Sequence, residues 1–318
     1  MKRLSREQYE QARRFLKEEA RPLDRAVFEY RFEEAPAHRV TDALASYQNP
    51  DGGFGRALEP DVRTPSSSAL ATGIALSLLK GVDRAAEHPM VSGAMAYLLD
   101  TFDREAWVWR VIPEDANDHP HAPWWHDDEG SLARTFDNFL VVPRAQLVGL
   151  LHDYAELVPE AWLDTLTEKT VSDIETLEEE AFAGGGDTLR YALELAETEP
   201  LPGRFKQRLL PRLRNLTDRI VSRDPDEWAE YSATPLKVAP SPDAAVAELL
   251  EDDLRRYLDY VIDRQTAEGT WEPTWTWGPL YPEAWEQAKQ EWRGHVTLET
   301  LTSLRAFGRI ERPGGAQP

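Results

Sequence analysis

A turn that the chain writes twice, once near each end, constrains its fold more than any other feature. Gln48-Asn49-Pro50-Asp51-Gly52-Gly53-Phe54-Gly55 recurs as Gln265-Thr266-Ala267-Glu268-Gly269-Thr270-Trp271. In both copies Gln is followed at +3 by an acid, at +4 by Gly and at +6 by a large aromatic. Gly52 and Gly269 supply a backbone conformation that other residues resist. Asp51 and Glu268 can accept hydrogen bonds from a helix start. Phe54 and Trp271 can pack over the joint, and the amides of Gln48 and Gln265 can close the turn by bonding backbone groups. Each copy follows an amphipathic stretch and precedes an apolar one, so the same joint is expected between an outer and an inner helix.

Helical periodicity dominates the rest. Ser5–Glu19 carries Tyr9, Ala12, Phe15 and Leu16 at helical spacing, and a further helical stretch runs from Thr41 to Tyr47. Ser66–Leu79 is small and apolar nearly all round after a Ser-rich start able to cap it, which predicts a buried helix with Leu70, Ile74, Leu76 and Leu78 inaccessible. Further helices are expected over Pro89–Phe102, Pro143–Leu157, Pro159–Phe182, Asp187–Ala196, Arg204–Ser222, Asp243–Gln265 and His295–Phe307. No run of period two predicts a strand. Short apolar helices alternate with longer ones charged on one side. An inner ring wrapped by an outer ring, a single all-α toroid over residues 1–318, accounts for two such classes where a simple bundle would not.

The Q-x-x-D-G-x-F/W pattern resembles the repeat of terpenoid cyclases and protein prenyltransferase β-subunits. Ala20–Arg25, Tyr47–Asp61 on to Ser68, Ala122-Pro123-Trp124-Trp125 and Glu291-Trp292-Arg293-Gly294 resemble bacterial proteins built of prenyltransferase or squalene-cyclase repeats. The resemblance implies an α/α toroid and an isoprenoid-handling enzyme, in the first instance a proton-initiated cyclase without a metal. The catalytic motifs of those families are missing. There is no D-x-D-D; Asp252-Asp253 is followed by Arg256 where D-D-x-x-D needs its last acid; and no Cys is present to complete a zinc site. No metal and no cofactor are therefore expected.

Composition narrows the partners. A net charge of -21 disfavours nucleic acid, which needs a basic footprint. No segment approaches the ~20 apolar residues of a membrane span, and no apolar leader opens the chain. With no Cys, a reducing cytoplasm is the expected location. The expected partner is a small hydrophobic or amphipathic ligand.

Chemistry-bearing residues gather in two irregular stretches, Arg104–Val142 and Asp224–Pro242, and around the first turn. Loops this long in a compact domain are uncommon and often functional. Glu59-Pro60-Asp61 leads into the Ser66–Leu79 helix, so Asp61, and after it Glu59, is the expected proton donor, its pKa raised by burial; the plain alternative is an acid that caps a helix or pairs with Arg56 or Arg63. Those two arginines could instead hold an anionic head group near helix starts. Trp124, Trp125, Trp271, Trp275 and Trp277 could wall a ligand, since indole faces attract cations, or could simply plug the ends of the ring. His126 could act as acid or base. With His119, His121, Asp127 and Asp128 it forms a dense His/Asp patch, whose spacing fits a solvated acidic loop better than a metal site. The loop carrying Trp124, Trp125 and His126 is expected to meet Glu59 and Asp61 at one rim. Two further readings stay open: a carbohydrate-active enzyme using Glu59 or Asp61 with Asp127 or Asp128, and a binding protein without catalysis.

Overall fold

Ser5 opens the first helix by a reciprocal cap: its Oγ accepts from the Gln8 amide (3.2 Å) while Gln8 Oε1 accepts from the Ser5 amide (3.0 Å). The computed structural model describes residues 1–83 and 87–311. In it run α1 (Arg6–Glu18), α2 (Pro22–Glu33), α3 (His38–Ala45), α4 (Ala69–Lys80), α5 (Pro89–Asp100), α6 (Ser131–Thr135), α7 (Arg144–Asp153), α8 (Glu160–Thr176), α9 (Glu180–Ala183), α10 (Asp187–Glu197), α11 (Gly203–Ile220), α12 (Pro235–Val238), α13 (Glu251–Asp263) and α14 (Pro282–Ala306). Among the described residues the only β-pairing is a few isolated bridges, so the chain is all-α. Proline begins α2, α5, α12 and α14, where its missing N–H costs nothing.

The two turns have the same hydrogen bonds. Gln48 Nε2 donates to Gly52 O (2.9 Å) and to Met90 O of α5 (3.2 Å); Gln265 Nε2 donates to Gly269 O (3.0 Å) and to Gln8 O of α1 (3.0 Å). The Phe54 amide donates to Thr72 Oγ1 of α4 at 3.0 Å and the Trp271 amide to Thr297 Oγ1 of α14 at 3.1 Å. Both glycines sit at φ +86°. A Cβ on Gly52 would stand 2.4 Å from Gly93 O, and one on Gly269 2.5 Å from Gln11 C, so the first turn presses against α5 and the second against α1. The second turn thereby docks on α1. Leu4 N donates to Arg309 O (2.7 Å) and Glu311 N to Leu4 O (3.0 Å), sealing the same join.

Helix packing follows the chain around. α1 touches α2 and α14, α14 touches α2, α2 touches α3, and α4 touches α5 and α7. α7 then meets α8 and α10, α10 meets α11 and α12, and α12 meets α13. A continuous core of side chains from these helices is supplemented by a second cluster, in which Val111, Trp125, Phe139, Trp277 and Trp285 meet Val62 and Leu70.

Three expectations about the helices need correction. Residues 243–247 are turns and Glu248–Leu250 a single 3-10 turn before α13, because Glu197 Oε1 accepts from the Ala245 amide (2.7 Å) and Arg214 donates to its carbonyl (2.7 Å). The helix expected from His295 starts at Pro282 and is 25 residues long. α4 is capped as expected, Ser68 Oγ accepting from Ala71 N at 3.0 Å. However, Leu70 and Leu76 are buried while Ile74 and Leu78 are only half-buried, so α4 keeps one apolar stripe partly open.

Candidate functional site

Glu59 and Asp61 lie in one tight turn, Val62 N donating to Glu59 O at 3.1 Å. The strand-like stretch that follows pairs with the long loop: Ala122 N donates to Asp61 O (2.9 Å) and Arg63 N to Pro120 O (3.0 Å). The loop carrying Trp124, Trp125 and His126 therefore meets the two acids. Glu59 is 7% exposed and Asp61 2%. Indole N–H groups hold both. Trp125 Nε1 donates to Glu59 Oε1 at 3.2 Å, while Trp277 and Trp292 both donate to Asp61 Oδ1, at 2.8 and 2.7 Å. Trp275 also lies close enough to pull the Asp61 pKa down, yet its N–H meets no acceptor at hydrogen-bond geometry and stays unsatisfied.

Burial disfavours the charged form of both acids. It pushes Asp61 up to about 6, against the opposing pull of the three indoles and Arg63. It lifts Glu59 well above the usual carboxylate range, and the neighbouring Asp61 charge lifts it further. Glu59 Oε2 is buried without a partner, which suits a carboxyl that keeps its proton. Arg63 forks onto Glu291 of α14, and Arg21 spans from Asp24 (2.6 Å) to Leu58 O (3.0 Å). These two guanidiniums bracket the acids without bonding to them.

The other sequence-predicted residues divide. Trp125, Trp275 and Trp277 surround the acids. Trp271 does not: its indole donates to Val261 O (2.8 Å) within the main core, because the turn directs that side chain under the joint. Arg56 is exposed and bonded to Asn49 Oδ1 at 2.8 Å, so it belongs to the turn. Arg63 is at the rim but committed to Glu291. Trp124 is 36% exposed. His126 is exposed, its Nδ1 3.0 Å from Nε2 of the buried His121, with the rings stacked. Asp127 pairs with Arg110 and takes the Leu132 amide, away from any partnership with Glu59. Asp51 Oδ1 accepts from the Gly53 amide and Ser67 Oγ, both at 2.9 Å, and Glu268 pairs with Arg293; both act structurally. Among the described residues no group of three or more His, Asp or Glu is placed to hold a metal ion.

Sequence reasoning missed Trp292 as an acid partner and missed a second polar cluster altogether. On α10, Arg190 pairs with Glu194 (3.2 Å), and Glu194 also accepts from Gln146 Nε2 of α7 (2.8 Å). Lys237 of α12 reaches Asp187 (3.0 Å) and the hydroxyl of Tyr231 (3.2 Å), which itself bonds Asp187. Asp187 begins α10 and is not the cap, which falls to Gly186. The aromatic rings continue from this cluster to the acids. Tyr231 lies edge-on to Trp275 (5.8 Å), and Trp275 edge-on to Trp292 (5.0 Å). The aromatic composition of residues 271–292 is the only sequence signal that pointed there. Beside Glu59 itself the free space is small, about 10 Å³, room for about one water.

Compared with known proteins, the chain matches no family model, no curated protein and no solved structure.

Proposed function

We propose that this chain is an acid-catalysing enzyme built on a closed α/α toroid, with Asp61 as the proton donor. A succession of helix contacts supports the toroid: α1 with α2, α2 with α3, α4 with α5 and α7, α7 with α8 and α10, α10 with α11 and α12, α12 with α13, and α14 with α1, the second turn being docked on α1. The observation that carries the acid is the grip on Asp61. Burial raises its pKa to about 6, so the carboxyl keeps its proton about two units further up the pH scale than an ordinary Asp, and the indole N–H groups of Trp277 and Trp292 wait on the oxygen that gains charge when the proton leaves. In the step itself the Asp61 O–H bond breaks and the proton goes to the substrate. The resulting carboxylate is stabilised by donors already in place, with no reorganisation needed. Glu59, keeping its own proton, adds no opposing charge.

An isoprenoid substrate, as the family resemblance implies, draws support from the indoles around Asp61, whose faces could stabilise a carbocation by about 0.5–2 kcal/mol each. A second reading, a binding protein of the same architecture without catalysis, is favoured by the ~10 Å³ of free space at Glu59, which leaves a ligand no room there unless the loop moves. The cytoplasm remains the location this reading supposes. Turnover screens of prenyl diphosphates, polyprenyl arenes and oligosaccharides with wild type and Asp61→Asn decide between the two. Loss of a general acid lowers turnover about 10²–10⁴-fold; turnover by Asp61→Asn equal to wild type removes Asp61 from the mechanism.

A further inference from the structure

Asp61 and Glu59 are both shut off from bulk water. An acid that gives up a proton at such depth must regain one before the next turnover. The indoles of Trp277 and Trp292 stand on Asp61 Oδ1, and they pass no proton on, because an indole nitrogen donates and does not accept. The opening lies at Glu59. The free space of about 10 Å³ beside it is bordered by Thr64, Ser66 and Ser68 among apolar neighbours. It has room for one water. Glu59 is a wall of the same space, and its Oε2 is buried with no protein partner. A buried water ordinarily makes about two to four hydrogen bonds, and here a lone carboxyl oxygen and several hydroxyl-bearing residues stand round one water-sized gap.

The hydroxyls lead outwards from that gap. Ser66 Oγ donates to Asp115 Oδ2 at 2.6 Å, and Thr64 Oγ1 donates to Asp115 Oδ1 at 3.1 Å. Thr64 Oγ1 already accepts the Ser66 amide (3.2 Å), so Ser66 Oγ is the freer of the two to accept from a water. The Asp115 side chain is 37% exposed. Glu59 is thus joined to a carboxylate in contact with solvent by hydroxyls and one space of the size of a water.

We propose that Asp115, Ser66 and one water in this cavity form the proton inlet of the acid pair, with Ser66 and Asp115 as positioning residues that act through Glu59. The inlet rests on the acid reading for its purpose, the reloading of Asp61. A proton from solvent lands on Asp115. Ser66 Oγ accepts it and gives its own hydroxyl proton to the water. The water gives one of its protons to Glu59 Oε2, and Glu59 releases the proton it held to the Asp61 carboxylate in the same turn. One O–H bond forms for each that breaks, and the net change is one proton moved from bulk to Asp61. The charge of ionised Asp61 acts on Glu59, so it draws the proton inward.

The test is a laser pH jump on the whole chain. Photolysis of o-nitrobenzaldehyde releases protons from a starting pH just above the Asp61 midpoint. Time-resolved infrared then follows the protonated-carboxyl stretch, and the component missing in Asp61→Asn belongs to Asp61. Reprotonation of Asp61 should slow about tenfold or more in Ser66→Ala, Asp115→Asn and Glu59→Gln. Ser66→Thr, which keeps the hydroxyl, should run at the wild-type rate, and the static Asp61 midpoint should stay in place in Ser66→Ala. A Ser66 with a structural role alone would move the midpoint or the Tm and leave the rate. Should Ser66→Ala fail to fold, Asp115→Asn, at the accessible outer end, carries the test. A wild-type rate in Asp115→Asn or in Glu59→Gln overturns the inlet. So does a high-resolution crystal structure with no water against Glu59 Oε2. Slowed reprotonation together with full turnover by Asp61→Asn keeps the inlet and sinks the acid. Turnover that needs Asp61, with reprotonation that no variant slows, keeps the acid and sinks the inlet.

Discussion

At Asp61 a single oxygen takes two indole N–H groups, and the consequence is a titration that can be read directly. Its folded pKa of about 6 lies above the ordinary Asp value of 3.8, so the folded chain binds the extra proton between those two values. Stability is therefore fullest below pH ~4 and falls as pH rises to about 6, by roughly 3 kcal/mol for this one group. Asp61→Asn, whose amide oxygen can still accept the indoles, should melt higher than wild type at pH 8 and equal to it near pH 4. A melting difference that does not change with pH would show that Asp61 is ionised at its ordinary pKa. Removing a donor acts the other way round: Trp292→Phe deletes a bond to the charged form, so the Asp61 pKa should rise above about 6. The remaining indoles make this visible as a shifted pH titration of fluorescence. The acids were legible in the sequence because Glu59-Pro60-Asp61 stands just before a capped helix. Their partners were legible only in part: Trp125 and Trp277 were expected among the indoles of the site, but Trp292, more than two hundred residues from Asp61, was not, since nothing local marks which of eleven tryptophans donates to an acid.

The turns are the most legible elements because their hydrogen bonds close within a few residues, and so their chemistry is written in consecutive letters. Gly52→Ala and Gly269→Ala should behave as a pair. Each puts a Cβ into backbone at a positive φ and should cost on the order of 1–3 kcal/mol in urea unfolding. A large effect at one turn with none at the other would break the equivalence. α4 was read correctly in type and wrongly in burial. A helix whose residues are small and apolar all round looks uniformly buried, yet Ile74 and Leu78 are half-open while Leu76 is fully enclosed. Leu76→Asp should therefore abolish soluble expression, an unpaired charge having no escape, whereas Ile74→Asp should fold with a lowered Tm. The reverse order would put the open stripe of α4 on the wrong side. The polar cluster was illegible for a different reason: Gln146, Arg190 and Lys237 come from three separate helices, and each looks like an ordinary surface residue in its own segment.

For the whole molecule, the ladder between Leu4 and Arg309–Glu311 matters more than its two hydrogen bonds suggest. Leu4 and Arg309 are both buried, and Arg309 also reaches Asp259 (2.8 Å) and Arg255 O (3.0 Å) of α13. The first and last described segments are thus stitched to each other and to the same helix. At this join the packing runs on across a gap in the covalent chain, so the fold does not depend on the backbone being cut at this place. Joining the present ends by a short linker and opening the backbone within the exposed stretch Asp224–Glu227 should yield a permuted protein with the same circular dichroism and a Tm within a few degrees of the parent.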